Sequence, residues 1–379
     1  MNPAVRQLLM AGRDRRFIAK QSAFVSRFAA AMRAVQAGSS HAVLAFSGDS
    51  TTHGWADGTT GLAANSVPGK VAAKLAAAGV PAENDSIFGL GGEPTLAAQA
   101  LWDTRLAFGA GWVPSTIISL GGKAIANNTT TNALSFTPSN AWDTAEVWFQ
   151  GQTGVACPIT FDVGGATTSA TTTASTFTRV TYSPGTNAVQ TLNIKRNTAG
   201  SEVLTVIGIH CYDSATKRVA VFNFGVAGAT STDLANAAAA SSANNAYTTV
   251  VSGALGGVSA AGCLSAGIND YRASTLVALE TYVSNLRTLI ATRKSIGDLI
   301  GFVPVPSKIA DTAQATQDSY DNEFRAQVMN GGIPTYDVPV AWSYWIGANA
   351  SGLFGSDNLH PSVAGYDDIA TKLVTLLTQ

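Results

Sequence analysis

An apolar run from Val43 to Phe46 is long enough for a buried strand, and it stops at Ser47-Gly48 before the polar stretch Asp49-Ser50-Thr51-Thr52-His53-Gly54. Similar runs recur at 219–224, 263–266, 299–305 and 335–340. Stretches with helical spacing separate them: 67–79, closed by Gly79 and Pro81, then 233–250 and 274–293, and finally an amphipathic segment ending near Leu377. Strands that alternate with helices of this length predict a parallel sheet with helices on both faces. From about Thr116 to Tyr212 the pattern changes to short alternating runs between turn signals, as in Glu146-Val147-Trp148-Phe149, Thr160-Phe161-Asp162-Val163 and Val203-Leu204-Thr205-Val206-Ile207. Such runs predict an inserted β-sandwich. Its Thr-rich piece, 166–178, is expected to be a flexible hairpin loop. The expected organisation is an N-terminal helical segment at 1–37, an inserted sandwich at 116–212, and an α/β domain split into 38–115 and 213–379. In the first segment Phe17, Phe24, Phe28 and Met32 fall along one helical face. That face is expected to pack on the α/β domain, with an oligomer contact as the alternative.

Composition narrows the class. An apolar fraction of 46% over 379 residues is ample for a buried core. Charged residues make up only 12% and the net charge is −1, so no basic field exists to recruit nucleic acid or an anionic membrane. No stretch is apolar and long enough to span a bilayer. Arg6, Arg13, Arg15, Arg16 and Lys20 interrupt any export-signal core, so no signal peptide is expected. The Gly, Ala, Ser, Thr and Asn bias is common in extracellular and virion proteins. Cys157, Cys211 and Cys263 are far apart and odd in number, which argues against a disulfide framework. No His, Cys and carboxylate cluster has ligand spacing, so neither a metal nor another cofactor is expected.

The candidate chemistry lies where apolar runs end. Ser50 enters the first turn of a helix, with an exposed hydroxyl and unpaired N–H groups beside it that favour a developing oxyanion. Near the other end of the chain, Asp357-Asn358-Leu359-His360-Pro361 puts a histidine three residues after an aspartate, just ahead of the final helix. Such a histidine can face the nucleophile while the aspartate fixes its ring. Between them, Gly267-Ile268-Asn269-Asp270 and Asn223-Phe224-Gly225-Val226-Ala227-Gly228-Ala229-Thr230 each supply an amide or a small residue at a strand's carboxyl end. Asp49 and Asp270 are expected to hold turn backbone. His53, on the same turn as Ser50, has poor reach as a base, and His41 and His210 read as packed residues. Trp342, Tyr344 and Trp345 fit a core or a cleft wall equally well.

These four motifs, in this order, resemble the SGNH (GDSL) hydrolase superfamily of esterases and lipases. The resemblance implies an SGNH-type, flavodoxin-like three-layer α/β/α fold. It also implies Ser50 as nucleophile, His360 as base, Asp357 as its acid partner, and an oxyanion hole built from the Ser50 N–H, the Gly228 N–H and the Asn269 side chain. Gly225, Gly89, Gly91 and Gly92 are the alternatives to Gly228. A jelly-roll-like sandwich beside such a domain resembles the carbohydrate-binding modules inserted in some polysaccharide and peptidoglycan O-acetylesterases. The function this implies is removal of O-acetyl or other short acyl groups from a carbohydrate or small-molecule ester. The alternatives are a general short-chain carboxylesterase or lipase and, in another class, a glycan-binding or phage tail structural protein with an inactive hydrolase fold.

Overall fold

The computed structural model describes residues 26–55, 62–129, 131–197, 202–308, 312–329 and 331–378. Phe17 and Phe24 lie outside these residues; Phe28 and Met32 are buried on the helix Ser26–Gln36, in a cluster with Val71, Leu75 and Leu373. Six parallel strands form the central sheet: β1 (Ala42–Gly48), β2 (Ala82–Glu83), β3 (Val219–Gly225), β4 (Ala260–Ser265), β5 (Asp298–Phe302) and β6 (Thr335–Tyr336). Their spatial order is β6-β5-β4-β1-β3-β2. Leaving out the two-residue edge strand β2, this is the flavodoxin-like order 2-1-3-4-5. β1 is buried along its whole length because both its faces are covered. Ala42, Leu44 and Phe46 face the cluster just described, while Val43 and Ala45 face Phe222, Phe224, Tyr247 and Val250.

The chain leaves the parallel sheet after β2 and enters a β-sandwich. One antiparallel sheet has the order Ala166–Thr171, Pro158–Val163, Leu192–Arg196, Leu134–Phe136, Leu106–Phe108. The other runs Phe177–Tyr182, Thr144–Gln150, Leu204–Tyr212, Gly122–Asn127, Trp112–Ser119, and Ser86–Phe88 also pairs with Leu204–Tyr212. The sandwich sheets therefore take strands from upstream of residue 116. Those early strands are three residues long, too short to display alternation. The Thr-rich piece expected as a loop contains the edge strand Ala166–Thr171, paired with Pro158–Val163, in keeping with the β preference of threonine.

No slack linker separates the two parts. Phe88 and Trp148 of the sandwich pack on Phe222 of β3 with ring centroids 5.2 and 6.5 Å away. Beside them a buried ionic link joins the sheets: His210 Nε2 lies 2.9 Å from Glu83 Oε1 and His210 Nδ1 lies 3.9 Å from Glu146 Oε2. Burial alone would strip the proton from His210, but the two carboxylates outweigh it and push its pKa up to about 9.

Three elements differ from the sequence expectation. The helix expected over 233–250 is two helices, Ser231–Ala235 and Ala243–Gly253. Between them Asn236 Oδ1 accepts from Ala238 N–H, Ser242 Oγ accepts from Ala239 N–H, and Asn245 Nδ2 donates to the Ala237 and Ala239 carbonyls. Side chains thus capture a backbone that an alanine run would otherwise coil. The strand expected over 335–340 ends at Tyr336, where Asp337 caps a helical turn that carries Pro339. The helix expected over 274–293 is Leu279–Ile296.

Candidate active site

Gly48 of β1 lies opposite Gly225 of β3 on one side and Ser265 of β4 on the other, so three strands end at one level. β1 has β3 on one side and β4 on the other, so the strand order reverses here, which is where a crevice opens in such folds. Gly48 is required by close approach, because a Cβ there would stand 2.1 Å from Thr52 Oγ1 and 2.4 Å from the Ser265 carbonyl. The chain then turns into the helix Ser50–His53. Asp49 caps it by accepting from Thr51 N–H at 3.0 Å. As the first residue of that helix, Ser50 has an N–H with no intrahelical acceptor.

The structure brings three of the sequence-predicted residues into one hydrogen-bonded chain. Ser50 Oγ is 2.8 Å from His360 Nε2, and His360 Nδ1 is 2.6 Å from Asp357 Oδ2. The other oxygen of Asp357 accepts from the N–H groups of Leu359 and His360, both at 2.9 Å. Burial would raise the Asp357 pKa, but the His360 ring and these two N–H groups outweigh it and hold it down at about 2. The carboxylate is therefore ionised, Nδ1 must be the donor to it, and Nε2 is left to accept from the Ser50 hydroxyl. The loop bearing this pair is fastened from outside: Ser307 Oγ donates to the Leu359 carbonyl and Lys308 N–H to the Asn358 carbonyl.

Asn269 reaches the loop that carries Gly228. Asn269 is buried after β4, and its Nδ2 donates to the Ala229 carbonyl at 2.9 Å, using one of its two donors. Around Gly228, Val226 N–H bonds to Gly48 O, Ala227 N–H to Gly91 O and Ala229 N–H to Val226 O, which leaves the Gly228 N–H without an acceptor among the described residues. Its φ is +79° and the space where a Cβ would stand is empty. The N–H groups of three alternative glycines are occupied: Gly89 bonds to Ile207 O, Gly91 to Gly121 O and Gly225 to Asn223 Oδ1. Gly92 sits against Ala227, whose carbonyl would be 2.5 Å from an added Cβ.

The neighbouring acids hold loops, as the sequence suggests. Asp270 accepts from the N–H and hydroxyl of Ser231, and burial pushes its pKa up to about 7; burial likewise lifts Asp49 to about 6. His53 points away from the crevice, stacked on Trp102 at 4.0 Å and 3.5 Å from Glu93. Trp342 belongs to the core, and its Nε1 donates to Asp368. One residue at the site escapes the sequence reading. The Trp55 ring lies 6.3 Å from the His360 ring, and its only signal is an aromatic residue directly after the helix-ending Gly54. Among the described residues no group of three or more His, Cys, Asp or Glu is placed to hold a metal ion.

No family model matches the sequence, and no curated protein matches it. Solved structures do. A peptidoglycan O-acetylesterase aligns with a TM-score of 0.63 at 15% identity, over 94% of this chain and 96% of that one. A lipase/acylhydrolase from Enterococcus faecalis aligns at 0.34 and 18%, over 43% of this chain and 77% of that one. A family two carbohydrate esterase from Clostridium thermocellum aligns at 0.27 and 12%, over 72% and 95%. The whole-chain match is one of fold: a parallel α/β domain carrying a β-sandwich.

Proposed function

We propose that this chain is a serine esterase that removes O-acetyl groups from carbohydrate through an acyl-enzyme. The observation that carries the reading is the unbroken hydrogen-bonded chain from Asp357 through His360 to the Ser50 hydroxyl. His360 Nε2 takes the Ser50 proton as Oγ attacks the ester carbonyl, and Asp357 stabilises the imidazolium that forms. The tetrahedral oxyanion is received by the Ser50 N–H, the Gly228 N–H and the second N–H of Asn269. His360 then gives its proton to the leaving alcohol, the C–O bond breaks, and water repeats the sequence to release the acid. The choice of acetyl and carbohydrate is supported by the peptidoglycan O-acetylesterase whose fold runs the length of this chain.

The test is acetate release from O-acetylated peptidoglycan and plant polysaccharides, beside a p-nitrophenyl ester series from acetate to octanoate, with Ser50→Ala as control. Acetate release that disappears in Ser50→Ala is the expected result. Preference for longer acyl chains would make the protein a lipase. Absence of turnover on every ester would favour a binding protein instead.

A further inference from the structure

Seven tryptophans occur in the chain, and five of them (Trp102, Trp112, Trp142, Trp148 and Trp342) are buried in its cores. Of the other two, Trp345 packs on the core and carries the Lys308 ammonium 4.7 Å over its ring. Trp55 is half-buried and belongs to none of the hydrophobic clusters among the described residues. Yet it is held firmly. Gly54 ends the nucleophile helix in the left-handed conformation, with φ +95°, and a Cβ there would stand 2.5 Å from Ser66. That turn brings the Trp55 N–H back to the Ser50 carbonyl at 3.0 Å. On the other side Tyr366, in the helix that follows His360, donates its hydroxyl to the Trp55 carbonyl at 2.6 Å. The backbone of Trp55 is thus tied to the nucleophile's helix and to the helix after the base, while its ring joins no hydrophobic cluster among the described residues.

The position of the ring fixes which part of an ester it would meet. During acylation the carbonyl oxygen lies toward Gly228 and Asn269, while the leaving oxygen must lie toward His360 Nε2, which protonates it. A ring 6.3 Å from the imidazole, inclined to it by 47°, is within reach of an alcohol that His360 protonates. We propose that Trp55 is the platform for the alcohol part of the substrate, and that this alcohol is a pyranose, whose flat C–H face can lie on an indole while its hydroxyls stay in water. The proposal rests on the esterase reading above and adds that the alcohol, as well as the acyl group, is selected.

The experiment compares kcat/KM on methyl 6-O-acetylglucopyranoside with kcat/KM on ethyl acetate, which shares the acyl group but offers no ring. In Trp55→Ala the ratio of the two is expected to fall about tenfold or more, carried mainly by KM on the pyranoside, and Trp55→Phe is expected to restore most of it. An unchanged ratio would mean that the indole acts only through His360, and would overturn the platform. Turnover of ethyl acetate by the unmodified protein with none on any pyranosyl acetate would also overturn it. Turnover of neither ester would sink the esterase reading instead. The platform would then be judged by calorimetry of Ser50→Ala with an acetylated oligosaccharide, with and without Trp55→Ala: about tenfold weaker binding supports it, and equal or absent binding overturns it.

Discussion

At the residue level, the hydrogen bonds around Asp357 decide the protonation of the whole chain of groups. A carboxylate that is about a quarter exposed and accepts three hydrogen bonds stays ionised far below neutral pH, so the His360 tautomer is fixed before substrate arrives. Asp357→Asn keeps the shape but removes the charge and the demand for an Nδ1 donor. On the esterase reading, kcat should fall by about 10³- to 10⁴-fold, measured on whichever ester the unmodified protein cleaves best. Asn269 has a different task. Its side chain joins the β4 end to the Ala229 carbonyl, and on the esterase reading its remaining donor receives the oxyanion. Asn269→Ala should lower kcat by about 10²- to 10³-fold with little change in KM, because the lost contact exists mainly in the transition state. An equal rise in KM would mean that the asparagine binds substrate and transition state alike.

At the level of elements, two glycines three residues apart, Gly225 and Gly228, make opposite demands on the same turn. Gly225 ends β3 against the nucleophile helix, and a Cβ there would stand 2.2 Å from the His53 backbone nitrogen. Gly228 has empty space where its Cβ would be and only a positive φ to forbid one. Gly225→Ala must therefore push the helix Ser50–His53 off its seat, lowering both the melting temperature and the turnover. Gly228→Ala should cost about 1 kcal/mol of stability and leave the fold intact, as thermal melts of the two variants would show. A larger loss of stability in Gly228→Ala would contradict this packing. The same scale explains what could be read in advance. Ser50 and Asn269 follow β1 and β4, and Asp357 and His360 lie just ahead of the last helix; all four sit in short contiguous motifs, so the local sequence was enough to propose them. Long-range placement was not: nothing in Gly54-Trp55 reveals that His360 will lie beside the ring. The helix Gln314–Val328 also escaped, because two positions of its buried stripe, at 317, 320, 321, 324 and 328, are filled by Gln317 and Asp321. Polar residues on a buried face erase the periodicity by which a helix is recognised.

For the whole molecule, those buried polar groups set how stability depends on pH. Burial lifts Asp270 to about 7 and Asp321 to about 8, and the paired carboxylates lift His210 to about 9. In each case the folded protein binds more protons than the unfolded chain at pH values between the ordinary and the raised pKa, so stability falls as pH rises through that window. Asp357 works in the other direction, but its contribution is complete above the ordinary carboxylate range and is lost only as pH falls toward about 2. Buried His41 and His53, held below their ordinary value by desolvation, favour the fold as pH rises only up to about 6.5. Above that point the raised groups drop out in turn, Asp270 near pH 7, Asp321 near pH 8 and His210 near pH 9, and the melting temperature should decline from about pH 6.5 to about pH 9. Asp321 gives the cleanest check, since its Oδ1 has no hydrogen-bond partner and lies far from the crevice chemistry in sequence. Asp321→Asn keeps the neutral form permanently, so its melting temperature should exceed that of the unmodified protein only slightly near pH 4, by more as pH rises through the window, and by most at pH 8 to 9. If the variant instead melts lower across the whole range, Asp321 is ionised in the folded protein and is held by Arg325 more strongly than its burial opposes.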